Sequence, residues 1–147
     1  MKVKEENKEK FVLALQNLVR AIKNETDKCS VVCGGLSEKE LTIVAFVGHN
    51  QVVKMSDIAD NIEAPMSTLT NLVDKLVEKD FLTREHSSED RRAINVTLSS
   101  MGKTAYKSLI AQKKLTAEKL LSQYSEKDQA VFLEHINLLA SYLGTKK

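Results

Sequence analysis

Residues Met55 to Leu98 read MSDIADNIEAPMSTLTNLVDKLVEKDFLTREHSSEDRRAINVTL, and two periodicities meet inside that stretch. In its first part Leu69, Leu72, Val73, Leu76 and Val77 fall at i, i+3, i+4, i+7 and i+8, which makes one apolar stripe on a helix. In its last part Ile94, Val96 and Leu98 alternate with Asn95 and Thr97, the period of a strand with one buried face. The segment FLTREH suits a partner strand, and SSEDRR the turn between the two. Upstream, Ser56 is placed to cap a short helix through Ile62, and EAP then breaks it. Pro65 suits the first turn of the following helix, where its missing N–H would have no partner anyway. A short helix, a tight break, a helix with an apolar back and a polar front, and then a hairpin is the order of a winged helix-turn-helix.

Working outward, Phe11, Leu15, Leu18, Val19 and Ile22 recur at helical spacing, so a long amphipathic helix is expected from about Glu5 to Lys28, with VVCGGL stopping it. In LSEKELTIVAFV, Ser37 and Glu40 stand in the relation of a capping box, which opens a second helix running from Glu38 to about His49. Beyond the hairpin, Ser99 or Ser100 can cap a helix to about Gln123. Ser125 with Asp128 marks a last helix through Leu143, in which Phe132, Ile136, Leu139 and Leu143 form a wide apolar face that needs a partner.

Composition narrows the class. A chain of 147 residues suits a single domain with a real core. One Pro and 5 Gly leave few turns for an all-β fold, so a mainly α protein with a small β-hairpin is expected. The 22 basic and 20 acidic residues give a net charge of only +2, so the placement of charge matters more than its sum. No apolar run approaches the roughly 20 residues of a membrane span, and the start MKVKEENKEK is too charged for a signal peptide, which predicts a cytoplasmic protein. No phosphate loop, nucleophile elbow or catalytic triad is present, so no enzyme and no cofactor is expected. His49, His86 and His135 lie in three different elements without ligand spacing, and no metal site is assigned.

Three segments together, LSEKELTIVAFV, MSDIADNIEAPMSTLTNLVDKLVEKDFLTRE and EDRRAINVTLSSMGK, resemble the MarR (multiple antibiotic resistance regulator) family of bacterial winged-helix repressors. The most specific match is Asp90-Arg91-Arg92 followed by VTLSSMG, similar to the family's D-x-R and L-[ST]-x-x-G patterns. The resemblance implies a homodimer, with residues 5–35 and 100–147 as dimerisation helices and 36–99 as the winged helix-turn-helix lobe. It implies double-stranded DNA with a pseudo-palindromic operator as partner, and often a small aromatic effector, for which Phe11, Phe46, Tyr106 and Tyr124 are available. Some family members sense oxidants through a cysteine of the first helix. Cys29 and Cys33, four apart, are therefore candidate redox residues, with packing in the core as the alternative.

The physics of the site residues runs in the same direction. A hairpin tip is narrow enough for a minor groove about 6 Å wide, whose negative potential attracts Arg91 and Arg92. Asp90 would orient Arg92 through a charge-assisted bond. Ser67, Thr68, Thr70 and Asn71 occupy the first turns of the expected recognition helix, where hydroxyls can meet bases or phosphates and Asn can pair with adenine. Lys75 and Arg84 complete the expected DNA-binding set. The family often carries Arg where this chain has Asn71, a departure that bears on base preference. A winged-helix module that binds only protein is the alternative from another class.

Overall fold

The computed structural model describes residues 2–90 and 92–144. Its helices and strands are α1 (Glu5–Val32), α2 (Glu38–Asn50), β1 (Val53–Lys54), α3 (Met55–Ile62), α4 (Met66–Glu78), β2 (Leu82–His86), β3 (Ile94–Leu98), α5 (Ser100–Leu121) and α6 (Glu126–Gly144). The fold is mainly α, with a three-stranded antiparallel sheet of order β1-β3-β2. Among the described residues no helix is long and apolar enough to cross a membrane. The chain divides after Gln112 into two compact units: α1 to α4, the sheet and the first half of α5 in one, the rest of α5 and α6 in the other.

In the first unit, α1 runs past the expected end at Lys28, because Cys29 packs into the core and Cys33 caps the helix with its N–H on the Cys29 carbonyl. Gly34 and Gly35 then take left-handed conformations, φ +82° and +75°, that reverse the chain into the buried Leu36. The expected capping box opens α2: Ser37 Oγ accepts from the Glu40 N–H at 3.3 Å, and Glu40 Oε2 accepts from the Ser37 N–H at 2.8 Å. At the far end Gln51 sits at φ 69°, ψ −60°, and the Val52 N–H reaches the Asn50 carbonyl at 2.9 Å, closing a γ-turn of the rarer, strained hand.

That turn feeds β1, which the sequence reading missed: two residues are too short to carry a period, and β3 supplies the pairing, Val53 against Val96 and Lys54 against Asn95. Lys54, not Ser56, is consequently the cap of α3, its N–H on Asp57 at 3.4 Å. Helix α3 ends on Glu63 in the left-handed conformation, and Pro65 stands as the cap of α4 rather than inside its first turn. Leu69, Val73 and Leu76 of α4 are buried against Ile43, Val44 and Val47 of α2, Ile58 of α3, and Leu82 and Val96 of the sheet.

One junction closes the lobe. After α4, Asp80 turns left-handed at φ 61° and the Phe81 N–H returns to the Leu76 carbonyl at 2.8 Å. Ser99 answers from the other end of the hairpin: its N–H donates to the Phe81 carbonyl at 3.1 Å, its hydroxyl to the Asp80 carbonyl, and that hydroxyl caps α5 by accepting from the Gly102 N–H at 2.9 Å. Gly102 lies so close that a Cβ there would collide with the Phe81 carbonyl oxygen. The LSSMG run is thus a packing device. In the second unit, Ser125 caps α6, accepting from the Asp128 N–H at 3.3 Å, and Tyr124 stacks on Phe132 with ring centroids 5.3 Å apart.

Two outcomes follow for stability. Gly102→Ala forces backbone apart at the junction and should cost about 1–3 kcal/mol, measured by urea unfolding. Glu40 is buried, which pushes its carboxyl up, but the Ser37 amide, the Lys79 ammonium and the Ser37 hydroxyl together hold it below the ordinary glutamate range. Its stabilisation is therefore complete above the unfolded-state value of about 4.3 and is lost as pH falls through the lower folded value. Glu40→Gln should be less stable than the wild type at pH 7, and the difference should close on acidification below pH about 4.

Candidate nucleic-acid interface

The outward face of α4 begins where its apolar stripe ends. Ser67, Asn71 and Lys75 are exposed and stand four apart, so they form one row along the helix. Thr68 is half-buried on the flank of that row. Thr70 is also half-buried, and its hydroxyl donates to the Met66 carbonyl at 2.8 Å, so it is already spent as a donor on the helix itself. Two ion pairs fix the helix at its back and end. Asp74 is paired with Arg84 of β2, and Lys79 reaches the buried Glu40 at the start of α2 at 3.0 Å. Arg84 stands on the same sheet face as Leu82, toward α4, and so joins the hairpin to the helix.

The hairpin has the register Leu82–Leu98, Thr83–Thr97, Arg84–Val96, Glu85–Asn95 and His86–Ile94, with the Thr83 and Thr97 hydroxyls 2.7 Å apart. Its tip is braced by short side chains. Ser87 Oγ accepts from the backbone N–H of Glu89 at 3.2 Å and of Asp90 at 3.4 Å. The Asp90 carboxylate accepts from the Arg92 N–H at 2.9 Å, and the Ala93 N–H from across the turn reaches the Asp90 carbonyl at 2.9 Å. The aspartate therefore acts on the backbone of Arg92, where the sequence reading had placed a bond to its guanidinium. Both actions aim the same residue, and the turn geometry is the cheaper one because it orders no long side chain. Arg92 is exposed at this tip, while Arg91 lies outside the described residues. Ser87 was missed by the sequence reading, although its spacing to Asp90 is that of a hydroxyl closing a turn.

The remaining candidates separate from this face. Cys29 and Cys33 are both buried free thiols, and the Cys33 thiol lies 3.6 Å from the Ala105 carbonyl of α5. Burial, with a smaller contribution from Cys29, pushes the Cys33 thiol up, away from the thiolate that oxidation requires. Phe46 and Tyr106 pack against the core, and the Tyr106 ring occupies the space over Gly48. Among the described residues no group of three or more His, Cys, Asp or Glu side chains is placed to hold a metal ion.

A helix with one exposed polar row, locked to a hairpin whose tip presents an arginine on a preformed turn, defines a winged helix-turn-helix protein. The MarR family model matches residues 36–94, the segment from the start of α2 through the hairpin. In Bacillus subtilis, the uncharacterized HTH-type transcriptional regulator YfiV is 28% identical over 112 residues, covering 76% of this chain and 70% of that protein. The HTH-type transcriptional repressor MdtR of the same organism is 28% identical over 116 residues, 79% of this chain and 74% of its own. Streptococcus pneumoniae FabT, solved in complex with DNA, superposes with a TM-score of 0.80 at 21% identity over 98% of this chain and 100% of FabT. Over the segment from α2 through the hairpin the chain is thus similar to MarR-family transcriptional regulators.

The thiols give a test of how far the site extends. With both buried and Cys33 shifted away from thiolate, the folded protein should resist labelling by a thiol reagent that reacts readily after denaturation. Mild peroxide should leave its properties unchanged, in the wild type and in the Cys29→Ser, Cys33→Ser double variant alike.

Proposed function

We propose that the chain is a homodimeric repressor that binds a pseudo-palindromic operator, with α4 in the major groove and the hairpin tip in the minor groove, and releases it on binding a small ligand or on another signal. The observation that carries this reading is the wing tip. Asp90 and Ser87 spend their side chains on shaping the turn, and the result is an exposed Arg92 held beyond a rigid hairpin that the Asp74–Arg84 pair ties to α4. Such bracing serves a solvated turn poorly but suits insertion into a narrow groove, because the ordering cost is met before DNA arrives. Ser67, Asn71 and Lys75 supply the base and phosphate contacts of the helix, and Thr68 flanks them. MdtR is named a repressor and FabT was solved with DNA, which supports the same assignment here.

The dimer rests on α1. Phe11, Leu15, Leu18 and Ile22 remain 41–56% exposed along its length, an apolar stripe too continuous for a monomer surface, and Ile136, Leu139 and Leu143 of α6 are exposed as well. Matching stripes of a second copy would cover them about a two-fold axis, presenting two α4 helices about one DNA turn, 34 Å, apart.

Arg92→Ala should weaken operator binding by about 1–3 kcal/mol and lower the salt dependence, with the fold intact. Asp90→Ala should weaken it less, since the arginine remains. Gel shifts against the chain's own promoter region over a range of salt read both, and an Arg92→Ala protein with full affinity and an unchanged salt slope would remove the wing from the interface. Sedimentation at micromolar concentration should give a dimer, and a monomer there would end that part of the proposal.

A further inference from the structure

A second row on α4 makes no DNA contact in the proposed function, its Asp74 serving only to tie the helix to the hairpin. Met66, Thr70 and Asp74 stand four apart and run beside Ser67, Asn71 and Lys75. The two rows differ in chemistry. The first offers a hydroxyl, an amide and an ammonium; the second has almost nothing left to donate. Thr70 has given its hydroxyl proton to the Met66 carbonyl, and Asp74 is held by the Arg84 guanidinium. Met66 carries no hydrogen-bonding group on its side chain beyond a weakly accepting sulfur.

Met66 is nevertheless 48% exposed, and it stands apart from the core that Leu69, Val73 and Leu76 enter and Leu72 packs against. Packing does not explain it. It is the first residue of α4, at the end of a docked recognition helix that faces the base edges. The neutralised Asp74 removes the repulsion that a free carboxylate on this flank would raise against phosphates. What the major groove offers to an apolar, polarisable side chain is one group, the C5-methyl of thymine.

We propose that Met66 is a specificity-determining residue that reads a thymine methyl in each half-site, next to the base met by the row Ser67 and Asn71. This rests on α4 lying in the major groove, as proposed above. The row then divides recognition into a polar reading and an apolar one, and a thymine is expected beside the polar contact in every bound half-site.

The experiment uses the full-length chain. Selection from random duplexes supplies a bound sequence, and each thymine of its half-sites is replaced in turn by deoxyuridine, which removes the methyl and keeps the pairing. Affinity is read by fluorescence anisotropy. One position per half-site should lose about fourfold in wild-type affinity, the effect of leaving one methyl-sized group unburied. Met66→Ala should be indifferent to that replacement, and Met66→Leu, which restores an apolar side chain, should recover the sensitivity; thermal unfolding confirms that both variants fold. The inference is overturned if uracil is neutral at every position, or if Met66→Ala keeps the wild-type response. A selection that enriches no duplex removes the DNA reading itself, an outcome distinct from tight binding that ignores the methyl.

Discussion

The structure depends on the contact between the first turn of α5 and the corner that follows α4. Three polar links from Ser99, to the Asp80 and Phe81 carbonyls and to the Gly102 N–H, gather the end of one helix, both ends of the hairpin and the start of the next helix into one point. Such a corner leaves backbone carbonyls without helix or ladder partners, and Ser99 satisfies two of them with a single residue. The closeness this needs leaves no room for a Cβ at Gly102. Because the hairpin returns to the place it left, its tip must project, and the direction of projection is set by the corner rather than by the tip.

Charge is distributed with the same economy. The net charge of +2 says nothing of where each cation is engaged. On the lobe, Arg84 is committed to Asp74 and Lys79 to Glu40, so both of these basic groups serve to hold α4 in place. Lys75 and Arg92 are exposed on the presented face. The Glu40–Lys79 pair carries more weight than an exposed bridge, since one partner is buried and receives hydrogen bonds from Ser37 as well.

Most of the helices and the hairpin were legible in the sequence because each announces itself locally. The stripe Leu69, Leu72, Val73 and Leu76, the Ser37–Glu40 box and the alternation of Ile94, Val96 and Leu98 are all short-range signals. What escaped was set at long range. Strand β1 exists because β3 is there to pair with it, and it moved the cap of α3 from Ser56 to Lys54. The site divides the same way. Ser67, Asn71 and Lys75 could be placed on one helix face by spacing alone, whereas the engagement of Arg84 by Asp74, the spent hydroxyl of Thr70 and the backbone role of Asp90 are matters of side-chain direction that no period encodes.

The pairing of β1 with β3 also gives the lobe a temporal order. The hairpin β2–β3 joins neighbours in the chain and can close early, while Val53 meets Val96 only after α3 and α4 have brought the intervening chain back on itself. With only two residues in the ladder, strand β1 is expected to open before β2 and β3 do. Amide hydrogens there should exchange ahead of those in β3, so the short strand works as a latch on a sheet whose other edge is already formed.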